Sequence, residues 1–376
     1  MGSRIHSVDA MRIVAVALVV VIHTNPFEGL GASGNALNFA LESTARVAVP
    51  FFFLASGYFF GLKTLDADPI AYFRARARSL TGLYVFGIVV ALPAFLSGTA
   101  VEASVAGESA SRSVGRRIAE ILSPVDLLYY GTSVSEILWF VPALFVALAL
   151  VAGFAAAGRE RLAFPVALAL HALALLGPEY ASLVDLPFDV RDGLFFGFFY
   201  VSAGFAVAER GWRAGDGRSR VLLAAAVAFG ALHVAERYAM GYALGGASVA
   251  DGVYAPSFTL ATAPFAVALF LFLLSRPSLG ASTPLPDWGG YAVGVYVVHP
   301  PVLAALEEIA GGLAVNGTPI AETLGWHLAF TPATFLLALV AYLAAHRLGV
   351  IEIGGSHFPR PPDLARVTRP FGRRSS

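Results

Sequence analysis

Residues 9–27 read Asp-Ala-Met-Arg-Ile-Val-Ala-Val-Ala-Leu-Val-Val-Val-Ile-His-Thr-Asn-Pro-Phe. Between Arg12 and His23 every side chain is apolar, and a run of about 20 such residues spans the hydrocarbon core of a bilayer. Arg4 upstream gives the segment the look of a signal peptide. No small-residue cleavage site follows, so it reads as a retained helix. Arg12 and His23 are eleven positions apart. Eleven steps of about 100° make three turns plus roughly 20°, with about 16 Å of rise. Both side chains therefore lie on one stripe, Arg12 near one membrane face and His23 deep toward the other. Ionisable groups inside spans are costly and mark function by default. A cation at the mouth and an imidazole farther in suit a substrate whose anionic end stays outermost. The plainer account has Arg12 snorkelling to the interface beside Asp9 and His23 hydrogen-bonding between helices.

The rest of the chain agrees with a membrane reading. Of 376 residues, 57% are apolar and 13% charged, against about a quarter charged in ordinary soluble domains. Mean hydropathy is +0.72. A chain this poor in polar side chains cannot clothe itself in water, whereas lipid asks for no such coat. Zero net charge argues against a nucleic-acid partner. With no cysteine, disulfides, thiolate metal sites and cysteine nucleophiles are excluded.

Apolar stretches at about 9–27, 44–62, 80–98, 137–156, 162–177, 194–209, 221–241, 257–275, 289–310 and 325–346 predict an all-α, polytopic membrane protein of about ten transmembrane helices. Ten spans put both termini on one side. Arg46, Arg112, Arg116, Arg117, Arg191 and Arg237 then fall in one set of loops, and the remaining basic residues except Arg12 in the other. The richer set is cytoplasmic by the positive-inside rule, so both termini are expected in the cytoplasm and the protein in the cell membrane. The loop at about 99–136 reads as an outer loop rich in Ser, Gly and charge. The organisation expected is one transmembrane domain over 1–350 and a basic, disordered tail over 351–376 lying near anionic headgroups.

Other groups that could carry chemistry lie scattered along the chain. Arg46-Val-Ala-Val-Pro-Phe-Phe-Phe-Leu-Ala-Ser56-Gly57-Tyr58 sets two small residues in an aromatic run, which lets a ligand or a helix approach the backbone. Arg74, Arg76 and Arg78 form a basic inner mouth. Trp139, Arg191, His233, Glu236, Arg237, Tyr296 and His299 are further candidates; interface aromatics and a broken helix are the bland accounts of Trp139, Tyr296 and His299. No G-x-S-x-G, P-loop or H-E-x-x-H is present, and the histidines lack ligand spacing, so no metal is expected. Asn316-Gly-Thr318 is a sequon in an outer loop.

These residues resemble the membrane acyltransferase-3 family, over almost the whole span region. Its R-x10-H pair matches Arg12 and His23. Its F-F-x-x-S-G-F/Y segment matches Phe52 to Tyr58, its L-W-F segment matches Leu138-Trp139-Phe140, and its Y-L-x-H-x-P-like segment is similar to Tyr296-Val-Val-His299-Pro300. Arg46 and Arg191-Asp-Gly resemble the branch that includes enterobacterial-antigen O-acetyltransferases. The R-x-x-R pair common after the family's second span is replaced by R-x-R-x-R at Arg74, Arg76 and Arg78.

The resemblance implies transfer of an acyl group, commonly acetyl, from acyl-CoA to a hydroxyl of a cell-surface or envelope carbohydrate. Acyl-CoA is then a co-substrate and no cofactor is bound. The partners implied are the acyl-CoA donor, a carbohydrate or glycolipid acceptor, and the bilayer. His23 would act as general base on the acceptor hydroxyl or as an acyl relay. Arg12 would serve with it and, with Arg74, Arg76, Arg78, Ser56 and Gly57, hold the donor. Arg191, Glu236, Tyr296 or His299 would orient the acceptor or stabilise the oxyanion. Two rival classes remain at this level: a transporter of a glycan, lipid or small anion, disfavoured by the lack of an internal repeat, and a catalytically silent scaffold.

Overall fold

The computed structural model describes residues 4–65, 67–177, 189–212, 218–252 and 256–352. The tail from 353 onward lies outside them. The described chain is almost entirely helical: α1 (His6–Thr24), α2 (Gly31–Ala45), α3 (Ala48–Thr64), α4 (Pro69–Val105), α5 (Ala110–Ile121), α6 (Phe140–Ala156), α7 (Glu160–Leu175), α8 (Phe198–Glu209), α9 (Ser219–Tyr238), α10 (Thr262–Ser275), the single turn α11 (Leu285–Trp288), α12 (Ala292–Gly311) and α13 (Leu324–Arg347). Strands occur, among the described residues, only in a hairpin pairing Ala314–Val315 with Thr318–Pro319. Its tip is Asn316-Gly317, both left-handed, as a two-residue hairpin turn requires.

Seven helical segments among the described residues are long and apolar enough to cross a membrane. Each of the ten expected spans falls on a helix. Three of those helices, α7, α8 and α10, have 16, 12 and 14 residues, short of the about 20 needed for a full crossing. Large apolar side chains such as Val221, Val227 and Leu232 on α9, and Leu328, Leu336 and Val340 on α13, are exposed. Such a surface belongs against lipid.

Two helices occupy segments expected to be loops. α5 and the C-terminal end of α4 fill much of 99–136. α2 precedes α3, and together they make a broken 34-residue apolar unit, Gly31–Thr64. α2 is rich in Gly, Asn and Ser, which hides it from a hydropathy reading. Its polar face is what it buries: Asn35, Asn38, Glu42 and Ser43 are all inside.

Small residues set the closest helix crossings. A Cβ at Gly57 of α3 would overlap the Val201 carbonyl of α8, and one at Gly204 would overlap the Leu54 carbonyl. The backbones of α3 and α8 thus touch, the packing that small residues permit in membranes. Gly289 meets the Asp9 backbone, and Gly294 lies on the Tyr342 ring. α1 contacts α2, α3, α10, α11, α12 and α13, so Arg12 and His23 stand on the central helix.

Candidate active site

Arg12 opens the site. Its guanidinium donates to Asp9 Oδ1 at 3.2 Å and sits over the Phe59 ring, 5.1 Å from the centroid. It lines a cavity of ≈ 250 Å³ with Ser56, Arg76, Gly290, Phe140 and Tyr296. A smaller hollow alongside again has Arg12, Ser56 and Arg76 in its wall. Val19, seven residues after Arg12, also lines the main cavity, and His23 is one turn farther on the same stripe.

The cavity ends before His23. Tyr296 closes it, with its hydroxyl donating to the Ile137 carbonyl and its ring 5.5 Å from that of Phe140. Beyond Tyr296 the rings continue: Tyr296 to His299 at 5.9 Å, and His299 to His23 at 5.5 Å. Arg12 and His23 are joined by a cavity followed by a chain of rings, not by one open channel.

The sequence His299-Pro300-Pro301 fixes the His299 imidazole. Pro300 has no N–H to give the Tyr296 carbonyl four residues back. His299 Nδ1 lies 2.7 Å from that oxygen and 3.2 Å from the Val295 oxygen. A carbonyl can only accept, so Nδ1 carries the proton and Nε2 presents a lone pair. Nε2 is buried with no partner among the described residues.

His23 is held by the end of α1. Asn25 is left-handed and its N–H returns to the Val21 carbonyl, a cap Asn tolerates well. Thr24 Oγ1 bonds the Val20 carbonyl at 2.9 Å and Thr331 Oγ1 at 2.7 Å. Phe27 has φ +71°, costly for a bulky residue, and its N–H is held by His327 Nδ1 at 3.0 Å.

A second polar cluster lies where α2 runs into α3. Glu42 accepts from Arg46 Nε at 2.5 Å and from Arg237 Nη1 at 2.6 Å. Arg237 is fully buried and also donates to Ser43 Oγ at 2.6 Å and to the Pro256 carbonyl at 2.8 Å. Arg191 stands over the Trp139 ring, 5.2 Å from its centroid. Arg46 and Arg191 each place Nη1 3.5 Å from the same Ser257 Oγ. Asp192 orients this corner. It accepts from the Phe195 N–H at 2.7 Å and from Tyr129 Oη at 2.5 Å. Burial raises its carboxyl above the usual range, and those hydrogen bonds pull the other way.

A family model described as an acyltransferase domain matches residues 5–346. The chain belongs to the acyltransferase-3 family. An amino-acid racemase from Enterococcus faecalis is 26% identical over 214 residues, 53% of this chain and 27% of that protein. The chain thus spans about a quarter of that relative's length. No solved structure matches this chain.

Within this acyltransferase, the structure sorts the expected site residues. Arg12, Ser56, Arg76 and Tyr296 meet at the inner cavity, and His23 meets His299. Arg74 and Arg78 are exposed on α4 and do not line the cavity. Gly57 faces Val201 on α8, on the packing side of α3. Glu236 accepts from the N–H groups of Leu260 and Ala261, just before α10. His233 bridges the Ser43 carbonyl and the hydroxyls of Thr259 and Thr262. Sequence reasoning missed Glu42, Asn38 and Gly290. Glu42 had a signal in its i, i+4 spacing to Arg46; Asn38 and Gly290 had none. Among the described residues no group of three His, Asp or Glu could hold a metal ion.

Proposed function

We propose that this acyltransferase moves an acetyl group from acetyl-CoA to a hydroxyl of an envelope carbohydrate or glycolipid, with His23 as the general base. One observation carries the reading: an imidazole pair, His23 and His299, stands just beyond Tyr296, the residue that closes a cavity lined by Arg12 and Arg76. A space of ≈ 250 Å³ suits the thioester arm of a coenzyme. The phosphates stay at the mouth, where guanidinium groups bind them by charge-assisted hydrogen bonds.

The step balances as follows. The acceptor O–H bond breaks and its proton goes to His23. The oxygen bonds to the thioester carbonyl carbon. The C–S bond then breaks, and the leaving thiolate takes the proton from the imidazolium. His299, its proton fixed on Nδ1, contributes a second acceptor nitrogen beside His23. Tyr296 must turn aside, or the donor reach past it, for the thioester to meet His23. The excess of Arg in one set of loops supports cytoplasmic termini in the cell membrane, so donor and acceptor approach from opposite faces. We assign 1–350 to the transmembrane acyltransferase unit and 351–376 to a basic tail.

The test is thiol release from acetyl-CoA by purified protein in lipid nanodiscs, with and without a carbohydrate acceptor, together with mass spectrometry of envelope glycans from cells with and without the protein. Acceptor-dependent thiol release and loss of acetylated glycan are expected. An unchanged glycan profile with no thiol release would sink the reading.

A further inference from the structure

We infer that the acceptor carries an anionic group, a sugar carboxylate or a phosphate ester, and that Arg46 and Arg191 bind it across Ser257. This rests on the acyltransferase reading and narrows its substrate class.

Arg46 and Arg237 both pair with Glu42, and Arg191 shares Ser257 with Arg46. Arg237 spends its guanidinium on Glu42, Ser43 and the Pro256 carbonyl. Arg46 shares Glu42 from the other side. Among the described residues the Arg191 guanidinium makes no ion pair with a carboxylate, Asp189 taking only its backbone N–H; the guanidinium has the Trp139 face and a 3.5 Å contact to Ser257. The guanidinium groups of Arg46, Arg191 and Arg237 thus have one directly paired carboxylate between them, Glu42, while Asp189 and Asp192 accept from backbone N–H groups and Tyr129.

Two like charges held near one hydroxyl repel each other, more so where water is scarce. Neither 3.5 Å contact is a strong hydrogen bond, so donors on both guanidinium groups remain to be satisfied. Arg46, Arg191 and Ser257 are each half-buried, which leaves this corner open to a ligand while Arg237 behind it is closed. An anion between the two guanidinium groups would accept from both. Trp139 holds Arg191 by its ring face, so the guanidinium is placed before a ligand arrives.

Position decides which substrate the anion belongs to. The donor's phosphates have their own cations, Arg12 and Arg76, at the opposite end of the site. Arg12 meets α3 at Phe59, whereas Arg46 precedes the start of α3 and shares Ser257 with Arg191, so the two lie at the other end of α3, the end toward which α1 carries His23. An acceptor anchored there by its anion presents a neighbouring hydroxyl to His23.

The experiment uses full-length protein in nanodiscs with acetyl-CoA and three acceptor probes: methyl glucoside, methyl glucuronide and glucose 6-phosphate. Wild-type kcat/KM is expected to be at least about tenfold higher for one or both anionic probes, the size of one charge-assisted hydrogen bond. The arm that wins distinguishes carboxylate from phosphate. Arg191→Gln should collapse the anionic-to-neutral ratio toward one, mainly through KM of the acceptor, and Arg191→Lys should restore part of it. Equal kcat/KM for neutral and anionic probes in the wild type would overturn the anion site and leave acyl transfer standing. So would an Arg191→Gln variant that lowers kcat for all three alike, the mark of oxyanion stabilisation. No thiol release with any probe would overturn both readings.

Discussion

His23 at the end of α1 and His299 in the middle of α12 hold their rings 5.5 Å apart, tilted by 37°. They are separated by about three-quarters of the chain, yet each is fixed by the local backbone. His23 precedes a left-handed cap and His299 is tied down by its proline-freed carbonyl. The two helices contact each other directly, and in the proposed mechanism this pair is the reaction centre.

Removing the base should be felt in chemistry and not in assembly. His23→Ala is expected to lower acyl transfer by about 10² to 10⁴, with the protein still inserted and monodisperse. Thiol release and size-exclusion profiles check the two halves. Full transfer by the variant would take His23 out of the mechanism.

Arg12→Gln removes a cation from the cavity mouth. The donor KM should rise about tenfold or more, the worth of one charge-assisted bond, while the acceptor KM stays put. Steady-state kinetics with each substrate varied in turn separates the two. An unchanged donor KM would mean that Arg12 is spent on Asp9 alone.

Glu42→Gln leaves Arg237 fully buried beside a neutral amide. Breaking one partner of a buried pair costs about 3–5 kcal/mol, so the variant should lose stability on that scale. Thermal unfolding in detergent reads it. A variant as stable as the wild type would show that Ser43 and the Pro256 carbonyl suffice for Arg237.

Gly57→Val drives a branched side chain into the Val201 carbonyl. The α3–α8 crossing must open, and overpacking of this kind costs about 1–3 kcal/mol or more. Lower yield of folded protein and a lower unfolding temperature are expected. Wild-type behaviour would mean that Gly57 does not face α8 in the membrane.

Asp192→Ala removes the acceptor for both the Phe195 N–H and the Tyr129 hydroxyl. Loss of such a cap costs about 0.5–2 kcal/mol. Arg191 is its neighbour, so acceptor KM should also rise. Unfolding temperature and acceptor kinetics together test this, and an effect on neither would exclude a positioning role.

The sequence by itself determined that the chain is helical and apolar outside, because lipid permits few other backbones and composition reports this directly. It determined the stripe from Arg12 through Val19 to His23, since helical period is a local property. It also held the reason for the His299 tautomer, in two prolines read against i−4 geometry. What tertiary structure alone decided was which partners meet. The His23–His299 pair, the cavity under Tyr296 and the sharing of Ser257 by Arg46 and Arg191 join residues hundreds of positions apart or on different helices. α2 stayed hidden because its buried face is polar, the reverse of what hydropathy seeks, and only packing against α1 and α9 turns that face inward. Gly57 looked like a ligand contact for a related reason: small residues serve close helices and close ligands alike, and the identity of the neighbour is a fact of three dimensions.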